Sequence, residues 1–253
     1  MTAPPSLGTL FQSLTSLDVF DSADCQRLAT QLWPGRYGCV VEYCSNTQVA
    51  RVQLLEDGYE GFIPARYLDR PQSQPVPSLP NSSPPLTPDD IRDRLPAILD
   101  YAERASQQPN RYLWGGTVGP NFDCSGIVQR SFASQGIRLP RDSYQQADFC
   151  TPVLEAPPTS DDMARLQAGD LIFFQLGRRI DHVALYWGDG RFLHSSGAQT
   201  GRNGFGWDYA IAELAGDDAD DPIGHRYRQH ICGVGRVTRS LPFPAIPLPA
   251  MQG

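Results

Sequence analysis

No apolar run in this chain approaches the ~20 residues that cross a bilayer, and the stretch Met1 to Phe20 holds neither Lys nor Arg and no continuous apolar core. Neither a membrane span nor a secretory leader is expected, and the compartment expected is the cytoplasm. Positive charge is in short supply: 21 Lys and Arg face 28 Asp and Glu, a net charge of −7. That balance argues against nucleic acid or an anionic membrane surface as a partner. Cysteine is too sparse for a disulfide scaffold, with 6 in 253 residues, so free thiols in a reducing compartment are expected. Histidine is scarcer still. There are 4, at positions 182, 194, 225 and 230.

What is present is enough for real cores. Hydrophobic residues make up 40% and charged residues 19%, which describes a soluble globular protein with room for two domains. Residues 1–8 are expected to be disordered. From Gly8 to Asp69 short apolar runs alternate with turn chemistry: Asp21-Ser22-Ala23-Asp24, Pro34-Gly35, Ser45-Asn46 and Asp57-Gly58. Several short strands in such a span predict a small β-barrel over residues 1–70. Seven prolines between Pro71 and Pro88 predict an extended linker. Thr87-Pro88-Asp89-Asp90 then reads as a helix start, with Ile91, Leu95, Ile98 and Leu99 as its apolar stripe and Pro96 as an interruption. A second domain follows over residues 89–240. The last residues, 241–253, carry four prolines and read as a flexible tail.

The second domain is organised around Asp123-Cys124-Ser125-Gly126. Ile127, Val128 and Phe132 recur at helical spacing, and Gly136 is a natural stop. Cys124 therefore falls in the first turn of a helix, where unpaired N–H groups and the dipole favour a thiolate. A nucleophile needs a base. Asp181-His182-Val183-Ala184-Leu185-Tyr186-Trp187 reads as a strand, Gly188-Asp189-Gly190 as a turn, and Arg191 to Ser196 as the returning strand. A three-residue loop pairs Ala184 with His194 and sets His182 diagonal to His194 on one face. A two-residue Asp-Gly turn sets the two rings on opposite faces, and the sequence permits both. In the first register His182 takes the thiol proton and His194 orients it. A zinc site made of Cys124 and the two histidines is the alternative, disfavoured by the absence of short ligand spacings. His225 and His230, in what reads as a polar loop, are taken as surface residues.

Tyr112-Leu113-Trp114-Gly115-Gly116, Asp123-Cys124-Ser125-Gly126, His182-Val183-Ala184-Leu185-Tyr186 and His194-Ser195-Ser196-Gly197 together resemble the NlpC-type cell-wall cysteine peptidases of the papain superfamily. Glu60-Gly61-Phe62-Ile63-Pro64 resembles the Gly-Trp-Val segment of bacterial SH3-type domains, with Phe62 in place of the tryptophan. The fold class implied is α+β: a papain-like catalytic domain with helices packed on an antiparallel sheet, preceded by a small SH3-like β-barrel. The resemblance implies Cys124 as nucleophile, His182 as general base, His194 as third member and Tyr112 as a donor near the oxyanion site.

The same resemblance, extended to cyanobacterial γ-D-glutamyl-L-diamino acid endopeptidases, implies a substrate class. The bond is that between γ-D-glutamate and meso-diaminopimelate or lysine in peptidoglycan stem peptides, with a free N-terminal L-alanine. It implies that Tyr59 and Asp123, assisted by Asp57, hold the ammonium, and that Trp114, Ser125, Arg141, Ser143 and Ser195 line the substrate groove. No cofactor or metal is implied, a monomer is favoured, and the setting is turnover or recycling of wall peptides. Two rivals stand: an amidase or acyltransferase on the same fold, and a non-catalytic protein that only binds wall peptides.

Overall fold

The computed structural model describes residues 5–69, 71–80 and 84–245. The described chain divides into two compact units, one of residues 1–84, 114–118 and 241–253, the other of residues 85–113 and 119–240. Expectations for residues 1–4, 81–83 and 246–253 lie outside the described residues.

The first unit is built on seven short strands: β1 (Leu10–Ser13), β2 (Leu17–Phe20), β3 (Leu28–Leu32), β4 (Tyr37–Cys44), β5 (Val49–Leu54), β6 (Glu60–Pro64) and β7 (Ser73–Pro75). They form one antiparallel sheet in the order β3-β2-β6-β5-β4-β1-β7. Period-two alternation sends Leu17 and Val19 of β2, Val52 and Leu54 of β5 and Ile63 of β6 into a single core with Phe11, Leu32 and Val40. Buried within this unit is Arg36. Its Nη2 donates to Asp57 at 2.9 Å and its Nε to Glu56 at 3.3 Å.

Two expectations for this region are corrected. The proline-rich linker does not begin at Pro71, because Ser73-Gln74-Pro75 adds β7 to the open edge of β1. An edge strand tolerates proline, and the buried Ser73 hydroxyl donates to the Tyr67 carbonyl at 2.7 Å. The first residues of the tail are not loose either: the Phe243 ring lies 5.6 Å from Tyr37, and the Ala245 N–H donates to Leu55 O at 2.8 Å. Trp114 to Val118 also belongs to this unit and ends in β8 (Thr117–Val118). The Thr117 hydroxyl donates to Gln31 O at 2.9 Å. Gly115 (φ +77°) approaches Leu28 so closely that a Cβ would meet its backbone at 3.0 Å. Trp114 is exposed, with the Arg27 guanidinium 5.0 Å from its ring.

The second unit opens with α1 (Pro88–Ser106), capped by Thr87 and Asp90 as the sequence predicts. Pro96 does not end it. After β9 (Asn121–Phe122) come α2 (Cys124–Ala133), α3 (Ser143–Phe149), β10 (Thr151–Leu154), β11 (Leu171–Phe174), β12 (His182–Gly188), β13 (Arg191–Ser196), β14 (Gly204–Tyr209), α4 (Pro222–His230) and β15 (Ile231–Arg236). The sheet order is β10-β15-β11-β12-β13-β14, antiparallel throughout. Both faces are buried. One covers Leu171, Phe173, Val183 and Leu185 with Ile91 and Ile98 of α1 and Val128 and Phe132 of α2. The other covers Ile172, Phe174, Ala184 and Phe192 with Tyr227 of α4. The stretch around His225 and His230, read as a polar loop, is instead a helix. His225 and His230 sit on that helix, where Asp221 caps the first turn and Pro222 starts it. Among the described residues no helix is long and apolar enough to cross a membrane, and all six cysteines are free thiols.

Candidate active site

Helix α2 starts at the cysteine because Asp123 caps it: Asp123 Oδ1 accepts the Gly126 N–H at 2.6 Å from an extended backbone. Arg141 closes on the same carboxylate as a fork, Nη2 to Oδ2 at 2.6 Å and Nη1 to Oδ1 at 3.2 Å, and also donates to Ser125 Oγ at 2.8 Å. Gln146 of α3 donates to the Ser125 carbonyl at 3.1 Å. The first turn of α2 is therefore clamped by side chains from the loop and helix that follow it. Arg141 is 2% exposed. Expected among the substrate ligands, it is engaged at the start of α2 through Asp123 and Ser125, a positioning place.

The Cys124 sulfur lies against the start of β12, where the N–H of Val183, the residue after His182, acts on it. Burial, then the Asp123 carboxylate, push the thiol up to about 12, while the Val183 N–H, Arg141 and the Ser125 N–H pull the other way. The expectation of a preformed thiolate is overturned. Apolar burial and the capping acid outweigh the backbone N–H groups and Arg141.

The histidine hairpin satisfies neither expected turn alone. Asp189 (φ 51°) and Gly190 (φ 76°) form the two-residue turn, and Gly188 pairs with Arg191. One extra residue, Trp187, is then accommodated as a bulge, and beyond it Tyr186 faces Phe192 and Leu185 faces Leu193. The bulge reverses the face change that the turn imposes. His182 Nε2 consequently lies 2.7 Å from His194 Nδ1. Two nitrogens sharing a tetrahedral zinc at ~2.0–2.1 Å would stand more than ~3 Å apart, so this is a hydrogen bond and the pair is not spread around an ion.

The line of polar groups continues. His194 Nε2 is 2.7 Å from Asp208 Oδ2 on β14, and Arg202 donates to both Asp208 oxygens. Neither residue is singled out by the sequence reading, although Phe205, Trp207 and Tyr209 alternate with period two around Asp208 and mark a strand. Burial, then the charge of His194, hold His182 well below the usual imidazole range. Burial also lowers His194, against the pull of Asp208. Burial thus shifts the thiol and both rings toward their neutral forms.

Residues 109–214 match the NlpC/P60 family, and residues 19–68 match the bacterial dipeptidyl-peptidase Sh3 domain. The chain carries an NlpC/P60 domain behind a bacterial Sh3 domain. It is 43% identical over 91 residues to a γ-D-glutamyl-L-lysine dipeptidyl-peptidase of Bacillus cereus, covering 35% of this chain and 25% of that protein. It is 38% identical over 108 residues to the murein DD-endopeptidase MepS/murein LD-carboxypeptidase of Escherichia coli, covering 42% and 50%. The matched segments thus span a quarter to a half of these relatives. A solved NlpC/P60 family protein from Bacillus cereus shares the fold at a TM-score of 0.65 and 18% identity, over 91% of this chain and 100% of that one.

Two further residues of the second unit complete the site's walls. Tyr227 of α4 places its ring 4.9 Å from His182 and 4.4 Å from His194, and shares a 2.6 Å hydrogen bond with Ser196 Oγ. No signal short of recognising α4 finds it. Tyr112 precedes the nucleophile. Burial, then the charges of Cys124 and Asp123, raise its phenol well above the usual range, so it stays a proton donor. Ser195 is buried, its hydroxyl donating to the Phe122 carbonyl at 2.8 Å, which ties β13 to the segment before Cys124. Its expected role in the groove is corrected accordingly. Ser143 is buried at the start of α3. Asp57, Tyr59 and Trp114 belong to the first unit. Asp57 is not an ammonium ligand in waiting: its side chain is 1% exposed and engaged by Arg36 and by the Tyr59 N–H at 3.1 Å.

Proposed function

We propose that this protein is a thiol hydrolase that cleaves the amide between γ-D-glutamate and meso-diaminopimelate or lysine in peptidoglycan stem peptides. One observation carries the reading: a buried cysteine at a clamped helix start lies against the strand whose first residue, His182, is wired to His194 at 2.7 Å. The bond is inferred from the dipeptidyl-peptidase relative and from the Sh3 match, whose description names the same enzyme class. Neutral resting groups favour concerted general-base attack. As the sulfur bonds to the carbonyl carbon, His182 takes the thiol proton, and Tyr112 donates to the developing oxyanion. The C–N bond then breaks, His182 returns the proton to the departing amine, and an acyl-thioester remains on Cys124. Water, giving its proton to His182, then attacks the thioester carbon; the C–S bond breaks, the acid leaves, and His182 returns the proton to the Cys124 sulfur.

We further propose a requirement for free N-terminal L-alanine, action on peptide fragments during wall turnover, and a cytoplasmic setting that suits six free thiols. The test is incubation with L-Ala-γ-D-Glu-meso-diaminopimelate and with its lysine and N-acetylated forms, followed by mass spectrometry. Free diamino acid and dipeptide are expected from the unblocked peptides, and Cys124→Ala is expected to abolish them. Transfer of the acyl group to an added amine in preference to water would favour the acyltransferase. Binding without turnover would sink the hydrolase.

A further inference from the structure

We infer that Asp208, itself held by Arg202, is a positioning residue that fixes the tautomers of both histidines, leaving His182 Nδ1 as the nitrogen that carries a free lone pair. The argument runs outward-in. His194 Nε2 and Asp208 Oδ2 are 2.7 Å apart on buried side chains. Two lone pairs cannot face each other at that distance, so a proton lies between them. Burial pushes the Asp208 carboxyl up, but hydrogen bonds from His194 and Arg202 outweigh it and hold it below the usual carboxylate range. The proton therefore belongs to His194 Nε2. Arg202 Nη1 is 3.0 Å from the same nitrogen, but a guanidinium has only donors, so its partner is the carboxylate.

With Nε2 protonated, neutral His194 has its lone pair on Nδ1. The 2.7 Å contact to His182 Nε2 then requires that nitrogen to donate, and the His182 lone pair falls on Nδ1. Without the carboxylate the pair is free to run the other way, placing a proton on His182 Nδ1, where it cannot accept one from a thiol. The kinetic part of this inference rests on the proposed hydrolase; the tautomers do not.

The experiment is a long-range proton–nitrogen correlation spectrum of histidine-labelled full-length protein near neutral pH, with His225→Gln and His230→Gln clearing the other two rings. Both site rings are expected to show a protonated Nε2 and an unprotonated Nδ1. A protonated Nδ1 on either ring overturns the inference. In Asp208→Asn the amide donates to His194 Nε2 and inverts the order. Turnover kcat is expected to fall ~10²–10⁴-fold with KM within about threefold, and Asp208→Glu to restore part of it. An Asp208→Asn protein with near-normal kcat also overturns the inference. If Asp208→Asn does not fold, the spectrum of the unsubstituted protein decides alone. Expected tautomers with no hydrolysis would sink the proposed function and leave this assignment standing.

Discussion

Both units bury charge, and they do so to opposite ends. In the first, Arg36 is enclosed by Glu56 and Asp57, every member answered by another. In the second, the line Arg202–Asp208–His194–His182 is answered at each step until its last ring nitrogen. The closed cluster answers each charge with an opposite one, and so holds a fold. The open-ended line terminates in an imidazole on the strand against which Cys124 is packed. Buried charge alone does not mark a site; a line with an unanswered end marks a candidate.

That contrast can be broken. His182→Ala should lower kcat/KM by ~10³–10⁴-fold, about 4–5.5 kcal/mol of transition-state stabilisation, while leaving the melting temperature near that of the parent. A large thermal loss with retained turnover would erase the distinction. Arg36→Met should do the reverse. It strands two buried carboxylates, so a loss of about 3–5 kcal/mol in denaturant unfolding is expected, with the kcat of the folded fraction unchanged. Neutral stability would show that the barrel's ion cluster is dispensable.

The smallest effect sharpens the comparison through pH. His182 and His194 are held below 6.5 in the folded chain, so the unfolded chain binds more protons as pH falls below that value, and the second unit loses stability there. Glu56 shifts the other way. Burial raises it above 4.5 against the pull of Arg36, so the folded first unit binds the extra proton and does not lose stability on that account. Hydrogen exchange from pH 7.5 to 5.5, corrected for its intrinsic pH dependence, should show protection falling first in β12–β14. Protection lost first in β4–β6 would contradict it.

Much of this was legible in the chain. Period-two burial in β2 and β5, the Thr87–Asp90 cap and the helix start at Cys124 all depend on neighbours within four residues, and sequence shows such neighbours directly. The missed parts depend on partners far away. Asp208 looks like one more acid in a Gly- and Asp-rich span until β14 pairs with β13. Arg141 looks like a surface residue until its loop folds back onto α2.

The sequence alone determined which residues are candidates for the chemistry, because a cysteine at a helix start and two histidines across a tight turn are local patterns. Tertiary structure alone decided their state. The Trp187 bulge put both rings on one face, where the turn by itself would have parted them. Burial in a packed core turned an expected thiolate into a thiol, since desolvation depends on everything that surrounds an atom and not on its neighbours in the chain.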